Sequence, residues 1–120
     1  MKETIGIYED GKIIELYAGI HNIKIIGSWL VSLNLFRVYL KEVNGDRLIY
    51  WKKRMFRPND YVNGRKAKIV ADIDIDKGGL FSIHFENASH VKATYMGRFG
   101  LGLLSRKKIL NKDIKIVIGE

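Results

Sequence analysis

The run at residues 69–86, IVADIDIDKGGLFSIHFE, constrains this chain more than any other stretch. Ile69, Ala71, Ile73 and Ile75 alternate with Val70, Asp72, Asp74 and Asp76, the period of two of a half-buried strand. After Lys77-Gly78-Gly79 the alternation resumes, with Phe81, Ile83 and Phe85 on one parity and Ser82, His84 and Glu86 on the other. Placing both apolar rows on one face of a hairpin pairs Ile75 with Phe81, Ile73 with Ile83 and Ala71 with Phe85. That register needs an odd loop with a glycine in the left-handed conformation. It also sets Asp72 opposite His84.

Other segments repeat the pattern. Asp10-Gly11 predicts a two-residue turn that puts Ile5, Ile7, Ile14 and Leu16 on one face and Glu9 opposite Lys12. Residues 18–26 read as extended, with a turn allowed at His21-Asn22. Trp29, Val31, Leu33 and Leu35 lie on one parity and Phe36, Val38 and Leu40 on the other, so the chain bulges or breaks near Asn34. Asn44-Gly45 predicts a type I′ hairpin pairing Glu42 with Arg47, Leu40 with Ile49, Val38 with Trp51 and Tyr39 with Tyr50. Residues 55–66 read as a loop, with Pro58 ending regular pairing and a tight turn at Asn63-Gly64. Val91, Ala93 and Tyr95 suggest a strand. Residues 97–111 begin as a glycine-rich loop and continue with a basic half that fits one or two helical turns. Ile114, Ile116 and Ile118 make a terminal strand.

Eight to ten short strands at intervals of roughly ten residues, with no long helix, predict an all-β fold. The expected architecture is an antiparallel β-sandwich of jelly-roll type over residues 1–120, a single domain, with a closed β-barrel as the alternative. At 47% apolar the chain has the composition of a globular protein. It has no cysteine, which excludes disulfides, thiolate metal sites and cysteine nucleophiles. The most apolar window, residues 23–36, is interrupted by Lys24, Ser28, Ser32 and Asn34 and is shorter than the roughly 20 residues of a spanning helix. No signal-peptide pattern opens the chain, so a cytoplasmic protein is the expectation.

Chemistry is sparse. Asp72, Asp74 and Asp76 resemble the start of a calcium loop, but Lys77 and Ile83 occupy the positions that need glycine and glutamate. An Asp72–His84 pair could orient an imidazole, yet no further ligand or nucleophile is legible beside it. Ser28 and Ser105 lie in no nucleophile-elbow context, and Gly97-Arg98-Phe99-Gly100-Leu101-Gly102 lacks the phosphate-binding order. No catalytic residue, cofactor or metal is assigned.

Charge is the strongest functional signal. The net charge is +8; residues 47–68 carry eight Lys/Arg against Asp60 alone, and residues 98–112 carry five against none. Arg54, Arg57, Tyr61, Arg65 and Lys66 in the first segment, with Arg106, Lys107 and Lys108 in the second, are the candidate contacts for an anionic macromolecule or a protein partner. Phe99, Leu101, Leu103 and Leu104 add apolar area that fits a contact patch or a self-association surface. The expected function is a non-catalytic binding module. A nucleic-acid-binding small β-barrel is an alternative, since Trp51, Phe56 and Tyr61 are interleaved with cations. Gly27-Ser28-Trp29 also resembles the G-x-W of lipocalins, which implies an up-and-down barrel holding a small apolar ligand with Trp29 at its base.

Overall fold

A computed structural model describes residues 4–27, 30–98, 104–109 and 114–119. Its strands are β1 (Ile5–Gly6), β2 (Ile13–Leu16), β3 (Gly19–Ile26), β4 (Leu30–Ser32), β5 (Arg37–Glu42), β6 (Leu48–Tyr50), β7 (Lys52–Lys53), β8 (Asn59–Val62), β9 (Arg65–Ile75), β10 (Gly79–Glu86), β11 (Lys92–Arg98), β12 (Leu104–Ile109) and β13 (Lys115–Gly119). A 3-10 turn, Ala88–His90, is the only helical piece among the described residues. All pairings are antiparallel. The six-stranded sheet runs β1-β13-β3-β9-β7 with β8 also on β9; the others are β2-β10-β5-β6 and β12-β11-β4. The all-β antiparallel fold is thus as expected. No closed barrel is found among the described residues, so the barrel alternative and the lipocalin-type barrel have no counterpart there. Ser28 and Trp29 lie outside the described residues.

One core joins the sheets. Ile23, Ile25, Ala71, Ile73, Ile75 and Ile116 come from the first, Leu16, Val38, Leu40, Phe81 and Ile83 from the second, and Ala93 from the third. The alternation thus identifies the inward row of β10 and of β9 from Ala71 to Ile75; at the register shift of β9, Val70 is buried in place of Ile69, against the expected parity. The alternation does not identify the partners of these strands. β9 pairs with β3, β7 and β8, whereas β10 pairs with β2 and β5. The expected hairpin is instead an arch between two sheets, and its apolar rows meet through the core rather than along a ladder. Period two specifies which face is buried, and a facing sheet satisfies it as well as an adjacent strand. Neither Gly78 nor Gly79 has positive φ; glycine is needed at 78 because a Cβ there would lie 3.0 Å from the Leu16 carbonyl oxygen.

The same correction applies at the N-terminal turn. Gly11 takes φ 89°, but β1 pairs with β13 and β2 with β10. No turn forms at His21-Asn22; β3 continues through it, with a register shift between Ile23 and Lys24. At Asn34 (φ 52°) the chain breaks into β4 and β5, which belong to different sheets. The β5–β6 register is as expected, with Tyr39 opposite Tyr50 and Leu40 opposite Ile49, and with Trp51 buried and donating its backbone N–H to the Val38 carbonyl. Its turn is not type I′, because neither Asn44 nor Gly45 has positive φ.

Both segments expected to be loops contain strands among their described residues. Residues 55–66 contain β8 and the start of β9, closed by Asn63 (φ 50°) and Gly64 (φ 78°), where the tight turn was expected. The basic half of 97–111 forms β12, whose backbone pairs with β11, rather than helical turns. Phe99, Leu101, Leu103 and Asn111 lie outside the described residues. No helix is long and apolar enough to cross a membrane among the described residues.

Candidate functional site

The β8–β9 hairpin presents the first set of predicted contacts. Its I′-like turn leaves Tyr61 opposite Lys66 and Val62 opposite Arg65. Val62 is buried in a small second cluster with Ile26, Ala67 and Val117, while Tyr61, Arg65 and Lys66 are exposed. Lys24, buried on the same sheet, is neutralised by Asp60 at 2.7 Å.

The structure separates the predicted cations by what they do. Arg54 directs Nε and Nη2 to the two oxygens of Asp72, each at 2.8 Å, a bidentate pair two-thirds withdrawn from solvent. That hydrogen-bonded carboxylate, opposed by partial desolvation, raises the Arg54 pKa further above its ordinary value. Arg57 donates Nε to the Arg54 carbonyl at 3.2 Å. These two fix the crossing from β7 to β8. Asp72 therefore faces Arg54 rather than His84.

Arg106, Lys107 and Lys108 lie on β12 at register positions opposite Met96, Tyr95 and Thr94. The backbone path links them to the first set. Gly27 donates its N–H to the Lys66 carbonyl at 2.7 Å, and Leu30, three residues on, pairs with Thr94, itself opposite Lys108. Lys115, exposed and not predicted, joins the same end in the row Lys115–Ile26–Ala67–Asp60. Its signal in the sequence is the polar parity of the last strand. Lys77 lies beyond the far end of β9, about 30 Å away at the rise of a strand.

Comparison of the chain with protein-family models, curated proteins and solved structures gives no match.

At the far end a cleft of about 350 Å³ is lined by Glu42, Asn44, Arg47, Lys77 and the first residues of β10. Arg47 is already paired there, reaching Asp76 at 2.6 Å and Glu42 at 2.5 Å. The Arg47 hydrogen bond, with smaller opposition from desolvation, holds the Asp76 carboxyl below its ordinary value. A depressed native carboxylate contributes stability above its unfolded pKa of about 3.9 and loses it as pH falls through the native value. Asp76→Asn is accordingly expected to flatten the fall of Tm below about pH 4, measured by thermal unfolding across that range. An unchanged acid limb would assign it to other carboxylates. No group of three or more metal-ligating side chains occurs among the described residues, and the alternating Asp72, Asp74 and Asp76 do not form a calcium loop.

The outer face of the β2-β10-β5-β6 sheet holds an arrangement that the sequence reading missed. His84 Nδ1 lies 3.0 Å from Asp10 Oδ2, and Nε2 lies 2.8 Å from Ser82 Oγ. The ring stacks on Tyr39 at 5.0 Å, and Tyr39 packs against Tyr50 at 5.1 Å. These spacings match the distance between neighbouring strands, as expected for cross-strand neighbours on one face of the sheet. The shared parity of Ser82 and His84 was the visible part of this signal; the approach of Asp10, 74 residues away, was not.

Proposed function

We propose that this chain is a binding module for an anionic polymer, engaged by the cationic end that carries Arg65, Lys66, Lys115 and the basic strand β12. The observation that carries the reading is the backbone link from Lys66 through Gly27 and Leu30 to Lys108, which supports one composite surface rather than two separate ones. Neutralising several phosphates or sulfates at such an end releases counterions, and affinity then falls steeply with salt. Exposed Tyr61 beside the cations favours single-stranded nucleic acid among anionic polymers, because an aromatic face stacks on any base.

The test is titration of the full chain with heparin and with single- and double-stranded oligonucleotides from low to physiological salt. Reversing Arg65, Lys66, Arg106 and Lys107 together is expected to lower the logarithmic salt slope by about four. Reversing Lys77 at the far end leaves it unchanged. Tyr61→Ala is expected to weaken only the single-stranded oligonucleotide. No binding at low salt, or equal loss on reversing Lys77, would refute the site.

A further inference from the structure

The geometry points to Ser82 as a nucleophile toward carboxylic esters, activated by His84 and oriented through Asp10. A carboxylate accepts hydrogen bonds only, so Asp10 fixes the imidazole as the Nδ1–H tautomer. Nε2 is then an acceptor, and it takes the Ser82 hydroxyl at 2.8 Å. These are the atom roles of the serine–histidine–aspartate triad, which is recognised by geometry and not by sequence order.

Each member is held. Asp10 follows β1 on the turn that leads to β2, and its second oxygen accepts the Phe85 N–H at 2.9 Å. Partial desolvation works to raise the Asp10 carboxyl, but the Phe85 and His84 hydrogen bonds outweigh it and keep the group below its ordinary value. Asp10 therefore stays ionised at neutral pH. Tyr39 restrains the imidazole from rotating off Ser82. Ser82 is anchored on β10, the strand flanked by β2 and β5 on either side.

The surroundings indicate the substrate class. The row through Ser82 reads Leu48, Lys41, Ser82, Ile13 across four strands. Leu48 and Ile13 are exposed apolar side chains, at 47% and 58%. They suit the acyl or alcohol portion of an apolar ester lying across the sheet. The strand amides beside Ser82 are engaged: Ile83 N–H donates to the Lys12 carbonyl and Gly11 N–H to the Ile83 carbonyl. Stabilisation of the developing oxyanion therefore falls to the exposed Lys41 ammonium from the adjacent strand. The row lies open on the outer face of the sheet, so the site favours esters with good leaving groups.

The reaction balances without a further reactant except water. Ser82 Oγ forms a bond to the ester carbonyl carbon as its proton passes to His84 Nε2. The bond from that carbon to the leaving oxygen breaks, and the leaving group takes the proton from Nε2. Water then attacks the acyl-serine, His84 again accepting a proton and returning it to Oγ, and the carboxylic acid departs. Ser82 and His84 are the catalytic residues, and Asp10 is a positioning residue.

The test uses the full chain with 4-nitrophenyl butyrate and, separately, a fluorophosphonate probe read by peptide mass mapping. Ser82 is expected to be the labelled hydroxyl, and nitrophenolate to appear in a burst that Ser82→Ala abolishes. His84→Gln is expected to slow labelling about 100-fold, the usual contribution of a general base. Asp10→Asn should slow it in the native background and have no further effect in the His84→Gln background, a coupling that a purely structural aspartate would not show. Ser82→Cys provides a second readout: iodoacetamide should alkylate the introduced thiol faster in the single variant than in the Ser82→Cys, His84→Gln double variant. Three results would each overturn the assignment. They are labelling retained in Ser82→Ala, labelling indifferent to His84→Gln, and no labelling together with equal alkylation of the single and double thiol variants.

Discussion

Phe36→Ala should cost about 3–5 kcal/mol of unfolding free energy, as expected for removing a fully buried phenyl ring. The ring is fully buried, meets Trp51 edge-on at 5.3 Å and lies parallel to Phe85 at 6.1 Å. It follows the left-handed residue Asn34, where the chain leaves β4 and enters another sheet at β5. Truncation would therefore open a void in the core against Trp51 and Phe85. Domains of this size have about 5–15 kcal/mol in hand, so from about a fifth to the whole of the total would be lost. Urea unfolding followed by tryptophan fluorescence measures it directly. A loss below about 1 kcal/mol would mean that the ring does not fill the core.

The second large effect concerns the arch between β9 and β10. A Cβ on Gly78 would lie 3.0 Å from the Leu16 carbonyl oxygen and 3.2 Å from both Ala18 N and Tyr17 Cα. These are backbone atoms and cannot rotate aside. Gly78→Ala should therefore cost about 1–3 kcal/mol, the range of an overpacked site. Gly79, its neighbour, has open space where a Cβ would go and no positive φ. Gly79→Ala should change stability by less than about 0.5 kcal/mol. Equal effects at the two positions, in denaturant unfolding, would contradict this account of the arch.

What the sequence revealed follows from the range of the interactions. The β5–β6 register was legible because the strands are joined by a short turn and share a side-chain period. The Asn63-Gly64 turn was legible because both residues tolerate left-handed backbone. Buried rows were legible in β9, β10 and β13 for the same reason of period. Pairing between distant strands was not. Nothing local distinguishes an Ile73 that stacks beside Ile83 in one sheet from one that meets it across a core.

The site divides along the same line. Clustered cations were visible as composition, and the exposed Arg65 and Lys66 fit that reading. The sequence could not show that Arg54 is held by Asp72, because the two residues are brought together by the β7–β9 pairing. His84 was recognised as a histidine beside a carboxylate, but with Asp72 in place of Asp10. The partner changed because β10 lies next to β2, whose leading turn brings Asp10 over the strand.

The pairing of β1 with β13 has a consequence for how the protein is made. β13 is inserted between β1 and β3, so it is flanked by two strands synthesised long before it. Until β13 leaves the ribosome, β1 lacks its partner and β3 presents a bare edge. The six-stranded sheet is thus completed only after every other described strand has been made. Such closure of distant segments is inherently slow, since loop entropy is lost before native contacts compensate. During that interval the unpaired edge of β3 is the surface that a holding chaperone would have to cover.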